Sequence, residues 1–327
     1  MQRLFLLIIV VAAAAGAIWF FGGFRLEGLD GVAIESGERP AGDAAAATSA
    51  PGRAVPTIRV ATYDVEIIGG DKVEQPVLRD NLAKVIRQFD VVALQEIRSR
   101  NQNVLPQLVD AVNVSGGQYD YVIGPRLGRT ESTEQYAVVF NAATVDVDID
   151  SVYTVKDPDD LMHREPLVVA FRARGTEADK AFTFTLVNVR VDVDEVDDEL
   201  AVLGDVVEAV RRDGRDEDDV IVLGDLQADV DQLSRWWGDG ETVFCLAEHS
   251  DAYGKRTIHD NIALRRQATI EFTGRSGTYD PVKELGIEYQ TAARLSSHVP
   301  IWAEFDVNEG GRPHRVASSA DSDSPGR

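Results

Sequence analysis

Cysteine is nearly absent: Cys245 stands alone in 327 residues, which excludes an intramolecular disulfide framework and leaves the cellular compartment open. Basic charge is scarce as well. Against 55 Asp plus Glu stand 33 Lys plus Arg, a formal charge of -22 that opposes unaided nonspecific binding to nucleic acid or to an anionic membrane face. Only a local basic patch or a bound metal would reverse that preference. No glycine-rich dinucleotide or phosphate loop follows the first strand candidate and no HExxH pair occurs, so nucleotide and zinc chemistry lack their usual signatures. No repeat of fixed period is apparent. An apolar fraction of 44% over this length excludes wholesale disorder and a multi-span membrane protein.

What is present begins with an uncharged run from Leu4 to Phe24. About 20 apolar residues are enough for a helix to cross a bilayer. Arg3 and the terminal amine precede the run and favour keeping that end inside, so residues 1–26 are expected to anchor the chain with its body outside the cytoplasm. The alternative is a cleaved signal segment and a secreted protein. Residues 27–56, rich in Gly, Ala, Ser and Pro, read as a flexible linker, and residues 308–327 as a disordered acidic tail. A body of residues 57–307 remains for one large fold.

Within that body, Ile58 to Val65 is the first strand candidate. Pro76 opens a helix whose Leu82, Val85, Ile86 and Phe89 share a face, and Val91 to Leu94 reads as a buried strand ending at Gln95-Glu96. Tyr136 to Phe140, Leu167 to Phe171 and Phe182 to Val191 continue the strands. A helix starting near Asp198 carries Leu200, Leu203, Val206, Val207 and Val210, and leads to the strand Val220 to Leu223, followed by Gly224-Asp225. Ile262 to Leu264, Thr269 to Phe272 and Val299 to Phe305 complete a mixed sheet protein with covering helices. Acids placed directly after apolar strands, as Glu96 and Asp225 are, suit the rim of a site and equally an ordinary solvated strand end.

The ordered set ATYDVEIIGG, VVALQEIRSR, GRTESTEQYAVVF, REPLVVAF, FTLVNVRVDV, VIVLGDLQAD, TIHDNIAL and LSSHVPIWAEF resembles the endonuclease/exonuclease/phosphatase superfamily, in particular its deoxyribonuclease I-like branch. The resemblance covers nearly all of residues 57–307. It implies an α+β fold, a four-layer α/β/β/α sandwich with two central mixed sheets, and a phosphodiesterase site at the ends of the central strands. Such a site would take a divalent cation, Mg2+ first and Mn2+ or Ca2+ as alternatives, since all three suit hard oxygen ligands.

Position by position, the resemblance makes Glu96 the metal-ligand glutamate and Asp225 the acid that positions phosphate or nucleophile. Glu134 corresponds to the acid that orients a catalytic histidine, Asp260 to the late aspartate near the metal, His298 to the terminal catalytic histidine, and Arg164 to an arginine that approaches the substrate backbone. Five positions depart from the pattern. Asp64 replaces the first-strand asparagine, which could add a metal ligand and also adds negative charge. Arg190 replaces a catalytic histidine; it can hold phosphate but stays charged and shuttles no proton near neutrality. Gln227 replaces an asparagine after Asp225. Ser297 replaces the acid before the terminal histidine, and Ser132 stands where a tyrosine often meets DNA.

Two functions follow from this pattern. With Arg190 and Ser297 at two proton-handling positions, the first expectation is a membrane-tethered, catalytically degenerate member of the fold that binds a phosphoester ligand or a cell-envelope protein. The second is a divergent Mg2+-dependent phosphodiesterase or deoxyribonuclease-like endonuclease, resting on Glu96, Asp225, Asp260 and His298.

Overall fold

The computed structural model describes residues 56–130, 133–237, 240–246, 251–253, 256–257 and 259–310. The expected anchor, almost all of the linker, most of the tail and Ser132 lie outside the described residues. Among the described residues no helix is long and apolar enough to cross a membrane.

Two six-stranded sheets form the centre. The first comprises β1 (Thr57–Ile68), β2 (Val91–Ile97), β3 (Tyr119–Ile123), β4 (Gln135–Asn141), β13 (Phe272–Thr278) and β14 (Ile301–Asp306), in the order β13-β14-β1-β2-β4-β3. The second comprises β5 (Val145–Thr154), β6 (Leu167–Ala173), β7 (Thr183–Arg190), β8 (Val220–Asp225), β9 (Thr242–Phe244) and β12 (Asp260–Arg265), in the order β5-β6-β7-β8-β12-β9. A small hairpin, β10 (Asp251–Ala252) with β11 (Arg256–Thr257), stands apart. Both sheets are mixed: β1 runs parallel to β2 and β7 parallel to β8, and the other pairs are antiparallel.

Side-chain alternation explains the layering. On β1, Ile58 and Val60 face the other sheet while Ala61 and Tyr63 face helices; on β2, Val91 and Ala93 face the sheet while Val92 and Leu94 face helices. Strands covered on both faces read as continuous apolar runs, which is why VVAL and VIVL show no polar alternation. Helices α1 (Gly70–Val73), α2 (Pro76–Ile86), α3 (Val104–Asn113), α6 (Pro281–Leu285) and α7 (Tyr289–Leu295) cover the first sheet, with Leu82, Ile86, Leu108, Val112 and Leu295 on the packed face. Helices α4 (Val196–Arg211) and α5 (Val230–Trp237) cover the second through Leu200, Leu203, Val206 and Leu233. The result is the expected four-layer α/β/β/α sandwich.

Between the sheets lies a run of phenylalanines. Phe171 stacks on Phe184, Phe184 on Phe182, and Phe182 on Phe305 of the opposite sheet, with centroids 4.9–5.5 Å apart. Each ring fully removed from water contributes roughly 1.5–3 kcal/mol. Toward the other end this apolar layer gives way to a buried polar clasp. The Gln95 amide donates to Asn188 Oδ1 across the sheets (2.7 Å) and to Thr62 Oγ1 (3.0 Å). Asn188 in turn donates to the carbonyls of Leu94 and Ala137. All three polar side chains are buried, so a slip between the sheets would strand several donors at once.

One expected strand is displaced. The segment from Thr269 to Glu271 forms a turn, and the strand begins at Phe272 and runs through Thr278. The segment FTGRSGT is an edge strand with no residue fully buried, so hydrophobic alternation could not mark it. Helices α1, α3, α5, α6 and α7 and strands β3, β5, β9, β10 and β11 are further elements beyond the sequence reading. The other boundaries move by a few residues, and β2 extends through Glu96 to Ile97.

Candidate active site

Strand register assembles the site. The parallel pairing of β7 with β8 sets Arg190 beside Asp225, and the antiparallel pairing of β12 with β8 sets Asp260 on Asp225's other side. In the first sheet, Asp64 at the end of the regular β1 pairing lies opposite Gln95, one residue before Glu96. Because β14 runs antiparallel to β1, the loop entering it returns His298 to the same rim. The strand ends of both sheets therefore converge on one point.

The backbone at this rim leaves regular geometry. Glu66, Ile67, Glu96 and Gln227 all have φ between +42° and +60°, and the β1–β2 and β2–β4 registers shift just there. Non-glycine residues held in this region cluster at ligand and catalytic rims. Gly224 is required by space: at φ +150° a Cβ would lie 1.7 Å from the Val189 carbonyl oxygen. Only glycine lets β8 approach β7 closely enough to carry Asp225 next to Arg190.

Arg190 is the hub. Its Nη2 lies 2.6 Å from Glu96 Oε1 and its Nε 3.0 Å from Asp64 Oδ2, with Glu134 at 3.8 Å and Asp225 at 3.9 Å. Burial opposes its charge, but Glu134, Asp64 and Glu96 overcome that and raise its pKa further. Glu96 is thereby saturated. Its Oε1 also meets Arg98 Nη2 at 3.1 Å, and its Oε2 accepts the Ile67 N–H at 3.0 Å.

His298 and Asp260 form the second feature, an imidazole Nδ1 to carboxylate Oδ2 contact of 2.7 Å. Burial alone would lower the histidine's proton affinity, yet Asp260, with Asp64 and Asp225 behind it, pushes its pKa up to about 10. The second oxygen of Asp260 is buried with no hydrogen-bond partner. Asp64, Asp225 and His298 each offer a ligand atom within 4.8 Å of the others, a donor set able to hold a divalent cation. Burial raises the proton affinity of both aspartates; neighbouring acids add to it, and His298 works against it.

The other expected residues take these places. Gln227 folds back on Asp225, donating its backbone N–H to Oδ1 at 3.3 Å and its side-chain amide to Oδ2. Glu134 is buried among Arg164 (3.3 Å), Arg98 (3.4 Å) and Arg190, so the acid expected to orient a histidine faces three guanidiniums. Arg164 stands behind Glu134 with its side chain 5% exposed, and it also pairs with Asp192 at 3.3 Å. Ser297 directs its backbone N–H to Glu66 Oε2 at 2.7 Å.

That last contact reveals a residue beyond the sequence reading. Glu66, on the strained end of β1, places a carboxylate where it acts on His298 from the Ser297 side. Burial would raise its pKa, but hydrogen bonds from Ser297, then Lys72 and His298, keep it lowered. It accepts the Ser297 backbone N–H, so a carboxylate from another strand stands beside the position where the family has an acid. Its spacing two residues after Asp64 was the available signal. Lys72 secures the loop by donating to the carbonyls of Val65 (2.6 Å), Glu66 and Leu295 (2.6 Å). Arg98 and Asp192 complete the ion network.

Two sheets flanked by helices, with carboxylates and a histidine gathered at the strand ends, make a four-layer sandwich with a polar rim. The chain belongs to the Endonuclease/Exonuclease/phosphatase family, whose model matches residues 61–270. It is 29% identical over 262 residues to deoxyribonuclease gamma of Rattus norvegicus, covering 75% of this chain and 83% of that protein. It is 26% identical over 277 residues to deoxyribonuclease-1-like 2 of Homo sapiens, covering 75% and 90%. Among solved structures, an endonuclease/exonuclease/phosphatase from Bacteroides vulgatus superimposes with TM-score 0.52 at 14% identity, covering 77% of this chain and 99% of that one. Truncated Caenorhabditis elegans TDP2 does so with TM-score 0.52 at 12% identity, covering 76% and 97%. Both share the fold.

Proposed function

We propose that this protein is a divergent, divalent-cation-dependent phosphodiesterase, held outside the cytoplasm by its N-terminal apolar run. The observation that carries the reading is the His298–Asp260 pair set against Asp64 and Asp225 at the converging strand ends. The buried oxygen of Asp260 without a partner supports a cation nearby. Asp64 and Asp225 would hold Mg2+, which suits carboxylate oxygen. When bound, the cation would screen charge building on the phosphoryl oxygens.

The chain's own groups supply the remaining chemistry. His298, oriented through Nδ1 by Asp260, keeps its other ring nitrogen for proton transfer to the leaving oxygen. Arg190, fixed by Asp64 and Glu96, presents a permanent positive charge to the phosphate instead of a second proton carrier. Gln227 steadies Asp225. The charge of -22 favours a small phosphoester over unaided engagement of long DNA.

Hydrolysis of DNA and of a small bis-phosphoester by the full chain, with Mg2+ or Mn2+, tests the assignment. His298→Ala and Asp225→Asn should each lower turnover about 10²–10⁴-fold while leaving the fold intact. Wild-type protein that binds a phosphoester yet turns over neither substrate would favour the second reading, a binding protein, which the saturation of Glu96 by Arg190 and Arg98 supports.

A further inference from the structure

Between helices α4 and α5, on the outer face of the second sheet, lies a cavity of about 390 Å³. That volume falls within the range of small-molecule sites. Its floor is apolar: Val220, Val222 and Ala263 belong to the packed layer beneath the helices. Val220 and Val222 precede Asp225 on the same strand, roughly 10–17 Å from it, and no lining residue belongs to the catalytic rim.

One wall of the cavity is aromatic. Trp237, at the end of α5, stacks on Phe244 of β9 with ring centroids 6.3 Å apart and planes 16° apart. Its indole nitrogen sits against Gly204 of α4, where an added Cβ would lie 3.4 Å from Nε1, so a side chain larger than a methyl group would crowd the ring. That nitrogen is buried and has no hydrogen-bond partner among the described residues. Beside it Trp236, which also lines the cavity, is 44% exposed.

The remaining polar lining is cationic. Arg211 ends α4, Arg235 lies on α5 and Arg265 ends β12, and Glu208 is the carboxylate among the lining residues. In a chain of net charge -22 this is a local reversal of sign. Glu208 is shared between Arg265 at 2.7 Å, Arg212 at 3.1 Å and Arg211 at 3.6 Å, so one negative charge serves three guanidiniums. Burial, and next the charge of Arg265, lower the pKa of Arg211, and Glu208, Asp218 and Asp219 offset this only in part. The Arg211 side chain is 12% exposed, and its Nε is buried with no hydrogen-bond partner among the described residues. A buried donor left unpaired costs free energy that an incoming acceptor recovers.

An apolar floor, an indole wall and several guanidiniums select a flat apolar body that ends in a compact anion. Phosphate suits those guanidiniums better than carboxylate does, because a phosphomonoester carries about -1.5 to -2 charges near neutrality and three strong acceptor oxygens. Guanidinium forks match that geometry. We propose that this cavity is a second ligand site that takes an aromatic phosphomonoester of the nucleoside monophosphate class, with its ring against Trp237 and Trp236 and its phosphate on Arg211, Arg235 and Arg265. The unpaired N–H groups of Trp237 and Arg211 then have acceptors within the cavity. The site is independent of the hydrolytic reading, since it shares no residue with that centre.

Calorimetric titration of the full chain in EDTA with adenosine monophosphate, adenosine and inorganic phosphate tests the site, with tryptophan fluorescence read alongside. The monophosphate should bind and quench the emission, while adenosine and phosphate each bind at least about tenfold more weakly. Arg235→Ala, at an exposed position, should weaken the monophosphate about tenfold, and Trp237→Leu at least about fivefold. Trp236→Leu, also at an exposed position, provides a second aromatic variant if Trp237→Leu does not fold. Asp225→Asn should bind it as wild type does. No binding at millimolar monophosphate, equal affinity for the monophosphate and for either of its parts, or binding lost in Asp225→Asn but kept in Arg235→Ala and the aromatic variant would each overturn the proposal.

Discussion

Replacing Arg190 by methionine tests the electrostatic account most directly, because volume is nearly kept while the guanidinium is removed. The side chain is 13% exposed and touches Asp64 and Glu96, which are 1% and 7% exposed, at 3.0 and 2.6 Å. Removing one partner of a buried ion cluster leaves the others uncompensated, a loss of about 3–5 kcal/mol. For a body of this size each kcal/mol moves the unfolding midpoint by about 2–4 °C, so a fall of roughly 6–20 °C is expected in EDTA. The vacated carboxylates then resemble a cation site, so Mg2+ or Mn2+ should restore much of the loss in Arg190→Met and do little at Glu96 in wild type. Differential scanning calorimetry across a Mg2+ series reads both effects. A midpoint within 2 °C of wild type in EDTA, or identical Mg2+ responses of the two proteins, would refute the reasoning.

Four further outcomes follow. Gly224→Ala, whose Cβ would meet the Val189 carbonyl at 1.7 Å, should destabilise by more than about 4 kcal/mol and yield little soluble protein on expression; a melting point near wild type would mean that β7 and β8 are not so closely apposed. Asn188→Leu breaks the clasp and strands Gln95, so chemical denaturation should show a loss of about 2–3 kcal/mol. The folded pKa of His298 lies above its unfolded value near 6.5, so the stability from its pairing with Asp260 is fully present below that pH and lost as pH rises through about 10. The stability gap between wild type and His298→Ala should therefore shrink between pH 6 and 10, and a gap constant over that range would contradict the assignment. Cys245 is buried, which pushes its thiol up to about 12, so a thiol reagent should label it only on unfolding.

Much of this architecture was legible in the residues. Strands such as Val91–Ile97 and Val220–Asp225 are covered on both faces and declare themselves as apolar runs, and the acids ending them fall at the rim as expected. Strand β13 was not legible, because FTGRSGT is an exposed edge whose pairing with β14 follows no hydrophobic period. At the site, the motifs named most of the participants but not their partners. Arg190 was expected to hold phosphate, and its embrace by Asp64, Glu96, Glu134 and Asp225 depends on register within two sheets and packing between them, neither of which is local. The replacement of an acid by Ser297 suggested an uncovered His298. Glu66 reaches the Ser297 backbone from a strained bulge 231 residues away in the chain, a relation no linear pattern contains.

The pairing of the body's first and last strands in one sheet bears on biosynthesis. Strand β1 emerges early and pairs with β2 on one side, while its other neighbour is β14, with Thr57 opposite Asp306. About 250 residues separate those partners, and at typical elongation rates of about 5–20 residues per second β1 waits roughly 12–50 s with one edge unpaired. During that interval its hydrogen-bonding groups are open to pairing with other nascent chains. A chaperone or export factor that shields this edge would therefore act on yield, and a permuted chain that joins β14 directly to β1 would complete the sheet without the delay.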